Sequence, residues 1–391
     1  MIAPDLVART PADVGIDAES LQRLFAVVRD AVDDGSLPSA QIAVARQGRL
    51  AAMATFGSAE QGGAMRPATD ATLYCVYSTT KCVIATALWA LLEEDLVRLD
   101  ERVADVIPEF GSNGKDVVTV RQLATHTCGF PYAPMHPERW DDRDERLRTF
   151  ARWRLNWEPG SRFEYHPTAA HWVLAEIIER RAGQPYQRFV AERVLAPFGL
   201  DDLHLGLPPE LDHRVATVVH TVPPVEPPGG WGGAPPDDLL VFNRPQARRV
   251  GVPGGGAIAG AGELALLYQP LVNGGETASG RRVLRADTIE RATRVLTDGR
   301  HVDPVWRVPV NRAFGVVVAG DDGKARFRGF GNGTSARAFG HGGAGGQIAW
   351  GDPESGISVG FCTNGLAPWI ETGRRGSQLS TLAAACAAGA R

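Results

Sequence analysis

Apolar, strand-like runs stand near both ends of this chain, and the stretch between them has the texture of helices. Ile42–Ala45 and Leu50–Phe56 are short apolar runs joined through Gln47-Gly48 in the manner of a hairpin. Their counterparts, Phe314–Val318, Gly346–Trp350 and Ile357–Cys362, fall near the C-terminus. Between them the spacing predicts helices over Thr79–Glu94, Ala169–Arg181 with a stop at Gly183, and Tyr186–Ala196 with a stop at Pro197. Thr119-x-x-Gln122 reads as a capping box in the same region. A sheet assembled from both chain ends around a helical middle implies an α/β (α+β) fold: an antiparallel sheet flanked by helices, with an inserted all-helical region. The expected division is a sheet domain of residues 1–78 and 250–391 and a helical domain of 79–249, with the active site between them.

Three further helices are expected around the sheet. One is capped by Asp17 and buries Leu21, Leu24, Phe25, Val28 and Val32 before Gly35, and the others start near Glu263 and Asp287. Residues 222–237 are too rich in Pro and Gly for a helix or a central strand and read as a long loop, either a lid or a plain surface connection. With 45 Gly and 27 Pro in 391 residues, above the usual ~7% and ~5%, many tight turns are expected.

Lys plus Arg number 41 against 45 Asp plus Glu, a net charge of −4 with no block of like charge. That argues against nucleic acid or an anionic membrane surface as the main partner. No segment approaches the roughly 18 apolar residues that span a bilayer, and the best candidate, Val83–Leu92, is interrupted by Thr86. The N-terminal residues include Asp5, Asp13 and Asp17 and no apolar signal core, so a soluble, cytoplasmic protein is expected. Five cysteines without a C-x-x-C pair suit buried thiols in a reducing compartment.

Several chemical signatures fail on context. Gly340-His-Gly-Gly-Ala-Gly345 has dinucleotide-loop spacing but leads into a strand instead of a helix. Gly356-Ile-Ser358-Val-Gly360 has nucleophile-elbow spacing, but no histidine follows Ser358, which reads as a strand serine. The nine histidines form no metal-ligand spacing, so neither a metal nor another cofactor is expected. Ser78-Thr-Thr-Lys81 remains, at the start of a predicted helix, where a three-residue step puts the hydroxyl and the ammonium on one face. The helix N-terminus favours an oxyanion beside Ser78 and, with burial, disfavours a charged Lys81. Alone, such a serine can be a simple N-cap. Tyr165 could supply the missing acid–base partner, a phenol that ionises more easily next to Lys81. Phe339-Gly-His341-Gly342-Gly343-Ala344 could let a substrate lie along an edge strand.

Together these residues resemble the serine β-lactamase and penicillin-binding protein superfamily, in the class C-like branch that includes family VIII carboxylesterases. The resemblance extends to Thr119–Gly129, Leu195–Leu200, Gly254–Ile258 and Asp352-Pro-Glu354. It implies that Ser78 is the acylated nucleophile, that Lys81 and Tyr165 form the base system, and that the N–H groups of Ser78 and Ala344 form the oxyanion hole. It places His341, Gly342 and Gly343 in the substrate-binding third motif and makes His126 structural, with Cys128 where the family usually has serine. Two departures stand out. The second motif is Tyr165-His166-Pro167 instead of Y-x-N, and His341 stands for the lysine of K-T-G, which removes a permanent cation. A histidine near its reference pKa of ~6.5 would regain charge toward pH 6. The expected activity is therefore hydrolysis of small carboxylic esters. An amidase or D-amino-acid peptidase, a β-lactamase or an acyltransferase would share the same site, and a sensor that acylates without turnover would share the fold.

Overall fold

The computed structural model describes residues 2–226 and 235–387. Its frame is a seven-stranded antiparallel sheet. In chain order the strands are β1 (Ser39–Arg46), β2 (Arg49–Gln61), β3 (Ala64–Pro67), β4 (Val317–Val318), β5 (Phe339–Gly340), β6 (Ile348–Gly351) and β7 (Ile357–Thr363). Their order across the sheet, β3-β2-β1-β7-β6-β5-β4, joins the two chain ends through the β1–β7 pair. The β1–β2 turn works because Gln47 and Gly48 both take positive φ, 53° and 79°, as a two-residue hairpin of matching twist requires.

Alternation along β1 and β7 decides which helix covers which face. Ile42 and Val44 pair with Phe361 and Val359 and share a buried cluster with Leu21, Leu24, Phe25 and Val28 of α1 (Ala18–Asp33). Asp17 caps α1 by accepting the Ser20 N–H at 2.8 Å. The opposite face carries Ala43, Ala45 and Gly360, and against it packs α4 (Ala261–Val272), which follows α2 (Thr80–Glu93) and α3 (Ala169–Ala182) in the chain. The approach is close: a Cβ on Gly360 would stand 2.1 Å from the Ala261 carbonyl oxygen. Ser358 belongs to this face, buried in β7, donating to the Ala265 carbonyl at 2.7 Å and accepting from Gln269 Nε2 at 2.7 Å. It is a structural serine, as its strand-like surroundings predict. Ser358→Ala should cost about 0.5–1.5 kcal/mol of stability, the net worth of a hydrogen bond, because Gln269 Nε2 keeps the Ala45 and Gly356 carbonyls as acceptors, while kcat stays at the native value. Denaturant unfolding and an ester assay on the same preparation check both halves.

The segment between α2 and α4 is mainly helical, with α3 at its centre, but it is not all helix. His204–Leu205 pairs with Ala257–Ala259, which also pairs with Tyr74–Cys75, and Val219–His220 pairs with Gly365–Leu366. These strands of two or three residues are too short to leave an alternating pattern. The helix from Tyr186 also departs from expectation. It does not stop at Pro197 but passes through a π-turn at Ala191–Leu195 and ends at Gly199, φ 74°. The wider turn tolerates the missing proline N–H. A C-terminal helix, α5 (Trp369–Ala385), completes the α1 side of the sheet. Half of the Pro/Gly-rich stretch, residues 227–234, lies outside the described residues, and so does its reading as a lid. At its far end Pro236–Leu239 forms a helical turn, against the expectation of loop throughout.

Among the described residues, no helix is long and apolar enough to cross a membrane, and no group of three His, Cys, Asp or Glu could hold a metal ion. All five cysteines are buried free thiols.

Candidate active site

The short pairing of Tyr74–Cys75 with Ala257–Ala259 sets Ser78 above the Gly254–Gly256 segment, and Val76 N–H extends it by bonding the Ala257 carbonyl. The chain then turns sharply. Tyr77 takes a left-handed φ of 46°, a strained conformation for a bulky residue, and is held there by burial, by an edge-on contact with Phe242 and by a hydrogen bond from its hydroxyl to the Leu239 carbonyl. Ser78 follows in a single 3-10 turn that leads into α2, so Lys81 lies one turn further along the same face.

Lys81 has no exposed surface, and its Nζ stands 3.0 Å from Ser78 Oγ, 2.7 Å from the Pro167 carbonyl and 2.6 Å from the Gly254 carbonyl. A neutral amine satisfies this arrangement fully. Its two N–H groups go to the carbonyls and its lone pair faces the serine hydroxyl. Burial, and after it the Arg312 guanidinium, holds Lys81 well below the ordinary lysine range. Glycine is required at 254, where a Cβ would meet the Pro167 carbonyl oxygen and Thr168 Cα at 2.9 Å.

Tyr165 comes from the loop before α3, and its hydroxyl donates to Ser78 Oγ at 2.9 Å. Burial pushes the phenol up to about 12, against the opposing pull of the Ser78 hydrogen bond and Arg312. At rest the Tyr165 hydroxyl is therefore a donor to Ser78 Oγ, where the sequence predicts a phenol that ionises readily beside Lys81. The His126 ring lies 4.7 Å from the Tyr165 ring, buried, and its Nδ1 accepts the His166 N–H at 3.2 Å. His166 Nε2 accepts from Phe130 N–H, and its Nδ1 donates to the Glu164 carbonyl. Both histidines build the wall behind Tyr165.

The third motif spans the β5–β6 hairpin. His341 and Gly343 bond backward to Ala349 and Gln347, and a Cβ on Gly343 would stand 2.6 Å from the Val76 carbonyl oxygen, so the hairpin presses against the turn that carries Ser78. β5 is not an edge strand, because β4 pairs with its outer side.

A profile of the family described as Beta-lactamase matches residues 24–383. The chain belongs to that family. A putative D-alanyl-D-alanine carboxypeptidase of Escherichia coli K12 is 25% identical, over 92% of this chain and 86% of its own length. The esterase/β-lactamase LipL of Mycobacterium tuberculosis is 27% identical, over 77% of this chain and 71% of its own. Among solved structures, a family VIII carboxylesterase superposes with a TM-score of 0.78 at 26% identity, covering 97% of this chain and 98% of that one.

Set against the Beta-lactamase family motifs, the two departures have separate outcomes. Pro167 occupies the position of the second-motif asparagine, and it offers a backbone carbonyl to Lys81 where a side-chain amide would face a substrate. His341, by contrast, does not leave the site without a permanent cation. Arg312 reaches it from the loop before β4, with its guanidinium carbon 5.3 Å from the Phe163 ring and 5.5 Å from the Tyr165 ring. Arg312 Nη1 lies 3.2 Å from His341 Nε2, while His341 Nδ1 stands 2.6 Å from the Gly342 carbonyl. This fixes a neutral tautomer that accepts from Arg312 and donates to Gly342. Burial first, then Arg312 and Lys81, keep His341 well below 6.5, so it does not gain charge near pH 6. Nothing in the local sequence marks Arg312, because its partners lie far from it in the chain.

Arg312 has a consequence for pH dependence. Catalysis that needs neutral Lys81 is lost as pH falls through the lysine pKa, which Arg312 lowers. Arg312→Met should therefore raise that pKa and move the acid limb of kcat/KM to higher pH by about one unit, whereas Arg312→Lys should keep it near the native position. Rate–pH profiles on a neutral ester check the direction.

Proposed function

We propose that this protein is a serine hydrolase that cleaves small carboxylic esters through an acyl-enzyme at Ser78. The observation that carries the reading is Ser78 Oγ held between Lys81 Nζ at 3.0 Å and Tyr165 Oη at 2.9 Å. As Oγ attacks the ester carbonyl, its proton passes to neutral Lys81. Tyr165 gives its proton to the departing alkoxide and is restored from Lys81. Water then enters by the reverse proton path and releases the acid. The oxyanion of each tetrahedral intermediate is assigned to the N–H groups of Ser78 and Ala344. Hairpin alternation supports the second donor: the N–H groups of His341 and Gly343 bond to the neighbouring strand, so those of Gly342 and Ala344 face away from it. His341, Gly342 and Gly343 then form the substrate-side wall, with His341 acting through its bond with Arg312.

The reading includes a two-domain division at residues 78 and 250 with the site between the parts. It also includes a cytoplasmic location, supported by the buried free thiols, and no nucleic-acid or membrane partner. An ester is favoured over a β-lactam because Pro167 offers no side-chain amide to an acylamide group. A second reading, a D-amino-acid peptidase, draws on Arg312, which stands beside Tyr165 and His341, forms no direct ion pair among the described residues and could hold a substrate carboxylate. Nitrophenyl esters of graded acyl length, one ester bearing a free carboxylate and one β-lactam separate these readings. The ester reading predicts kcat/KM for neutral esters at least about a hundredfold above the β-lactam. Comparable β-lactam turnover would contradict it, and a KM advantage for the carboxylate ester that disappears in Arg312→Met would favour the peptidase.

A further inference from the structure

Away from Ser78, a groove of about 990 Å³ runs between α1, α5 and the loops carrying Trp306 and Phe327. Its floor is apolar. Trp306 lies edge-on to Trp369 at 5.2 Å and 5.8 Å from Phe327, and Ile370 stands beside them with 55% of its surface exposed. Exposed aromatic and branched side chains gathered in a concave surface of this size have the character of a ligand site.

The charges on the groove are of one sign. Arg23, Arg326 and Arg374 line it, and no Asp or Glu does among the described residues. Arg23 is engaged by Glu19 at 2.5 Å. Arg326 rests over Phe327, 4.6 Å from the ring centroid, and neither it nor Arg374 has a carboxylate partner among the described residues. An apolar trough bordered by two unneutralised guanidinium groups is complementary to a molecule with a hydrocarbon chain and an anionic head, since guanidinium binds a carboxylate through two parallel hydrogen bonds.

A second cavity, about 200 Å³, shares Trp306, Arg326, Phe327 and Gly373 with the groove and extends to His341, Gly342 and Gly343. The second cavity therefore lies between the groove and the hairpin that carries the third motif.

We propose that this groove binds an amphipathic carboxylate of the fatty-acid type, with its chain on the Trp306–Trp369–Phe327 floor and its head on Arg326 and Arg374. The site is separate from the ester reading and does not depend on it. Calorimetric titration of Ser78→Ala protein with decanoate tests it without turnover, using decyltrimethylammonium, the same chain with a cationic head, as the contrast.

Saturable 1:1 decanoate binding is expected, at least about tenfold tighter than the cationic analogue. Arg326→Gln combined with Arg374→Gln should weaken decanoate about tenfold and leave the cationic analogue no weaker, and Ile370→Asp should weaken both. In the otherwise native chain these variants should hydrolyse nitrophenyl acetate at the native rate, which also shows that they fold. Absence of saturable binding, equal affinity for the two heads, or decanoate affinity unchanged in the double arginine variant would overturn the proposal. Sedimentation showing self-association that Ile370→Asp abolishes would assign the face to a second copy of the chain instead.

Discussion

Ser78→Ala is expected to lower kcat for a nitrophenyl ester by at least about a thousandfold while leaving the thermal transition close to that of the native protein. The size follows from the loss of the covalent route: among the described residues, no second hydroxyl is bonded to both Lys81 and Tyr165. The small effect on stability follows from what remains, because Lys81 keeps its bonds to the Pro167 and Gly254 carbonyls. A full progress curve with purified variant, beside a melting curve on the same sample, measures both. A residual rate within tenfold of native would remove Ser78 from the chemistry.

Lys81 and Tyr165 should fail together. Each is in hydrogen-bonding distance of one oxygen, Ser78 Oγ, and in the proposed reaction the proton that Lys81 receives is the one that restores Tyr165. Lys81→Ala and Tyr165→Phe should each lose on the order of a thousandfold in kcat, and the double variant should be little worse than the poorer single one. Losses that multiply in the double variant would show two independent roles. The pH dependence carries a further check. Because burial keeps the Tyr165 phenol near 12 and Lys81 low, activity should be lost on the acid side as Lys81 is protonated, and no tyrosine ionisation should be needed to reach the plateau.

The parts of this account that were legible in the sequence are the parts with local causes. Asp17 with Ser20, Gln47-Gly48, and Thr119 with Gln122 signal a cap, a turn and a capping box through neighbours in the chain, and each forms as read. Ser78 and Lys81 are one helical turn apart, and Tyr165 is marked by the motif that surrounds it. The illegible parts depend on contacts distant in sequence or on the backbone itself. Lys81 is held by the carbonyls of Pro167 and Gly254, and a carbonyl leaves no mark on residue choice beyond the glycine that makes room for it. Arg312 reaches Tyr165 and His341 from a loop without periodic pattern, so a cation near the third motif comes from a residue distant in sequence. The sequence predicts a His341 that titrates near its reference pKa, and the glycines around it carry no sign of its burial. Pro197 looked like a helix stop because the π-turn that accommodates it has no sequence signature.

In the proposed reaction Ser78 carries the acyl group, and covalent labelling tests this most directly. After reaction of the native protein with a fluorophosphonate, peptide mass spectrometry should place a single adduct on Ser78 in the Tyr77–Lys81 stretch, with none in Ser78→Ala. An adduct on Ser358 or any other serine, or labelling that persists in Ser78→Ala, would contradict the account.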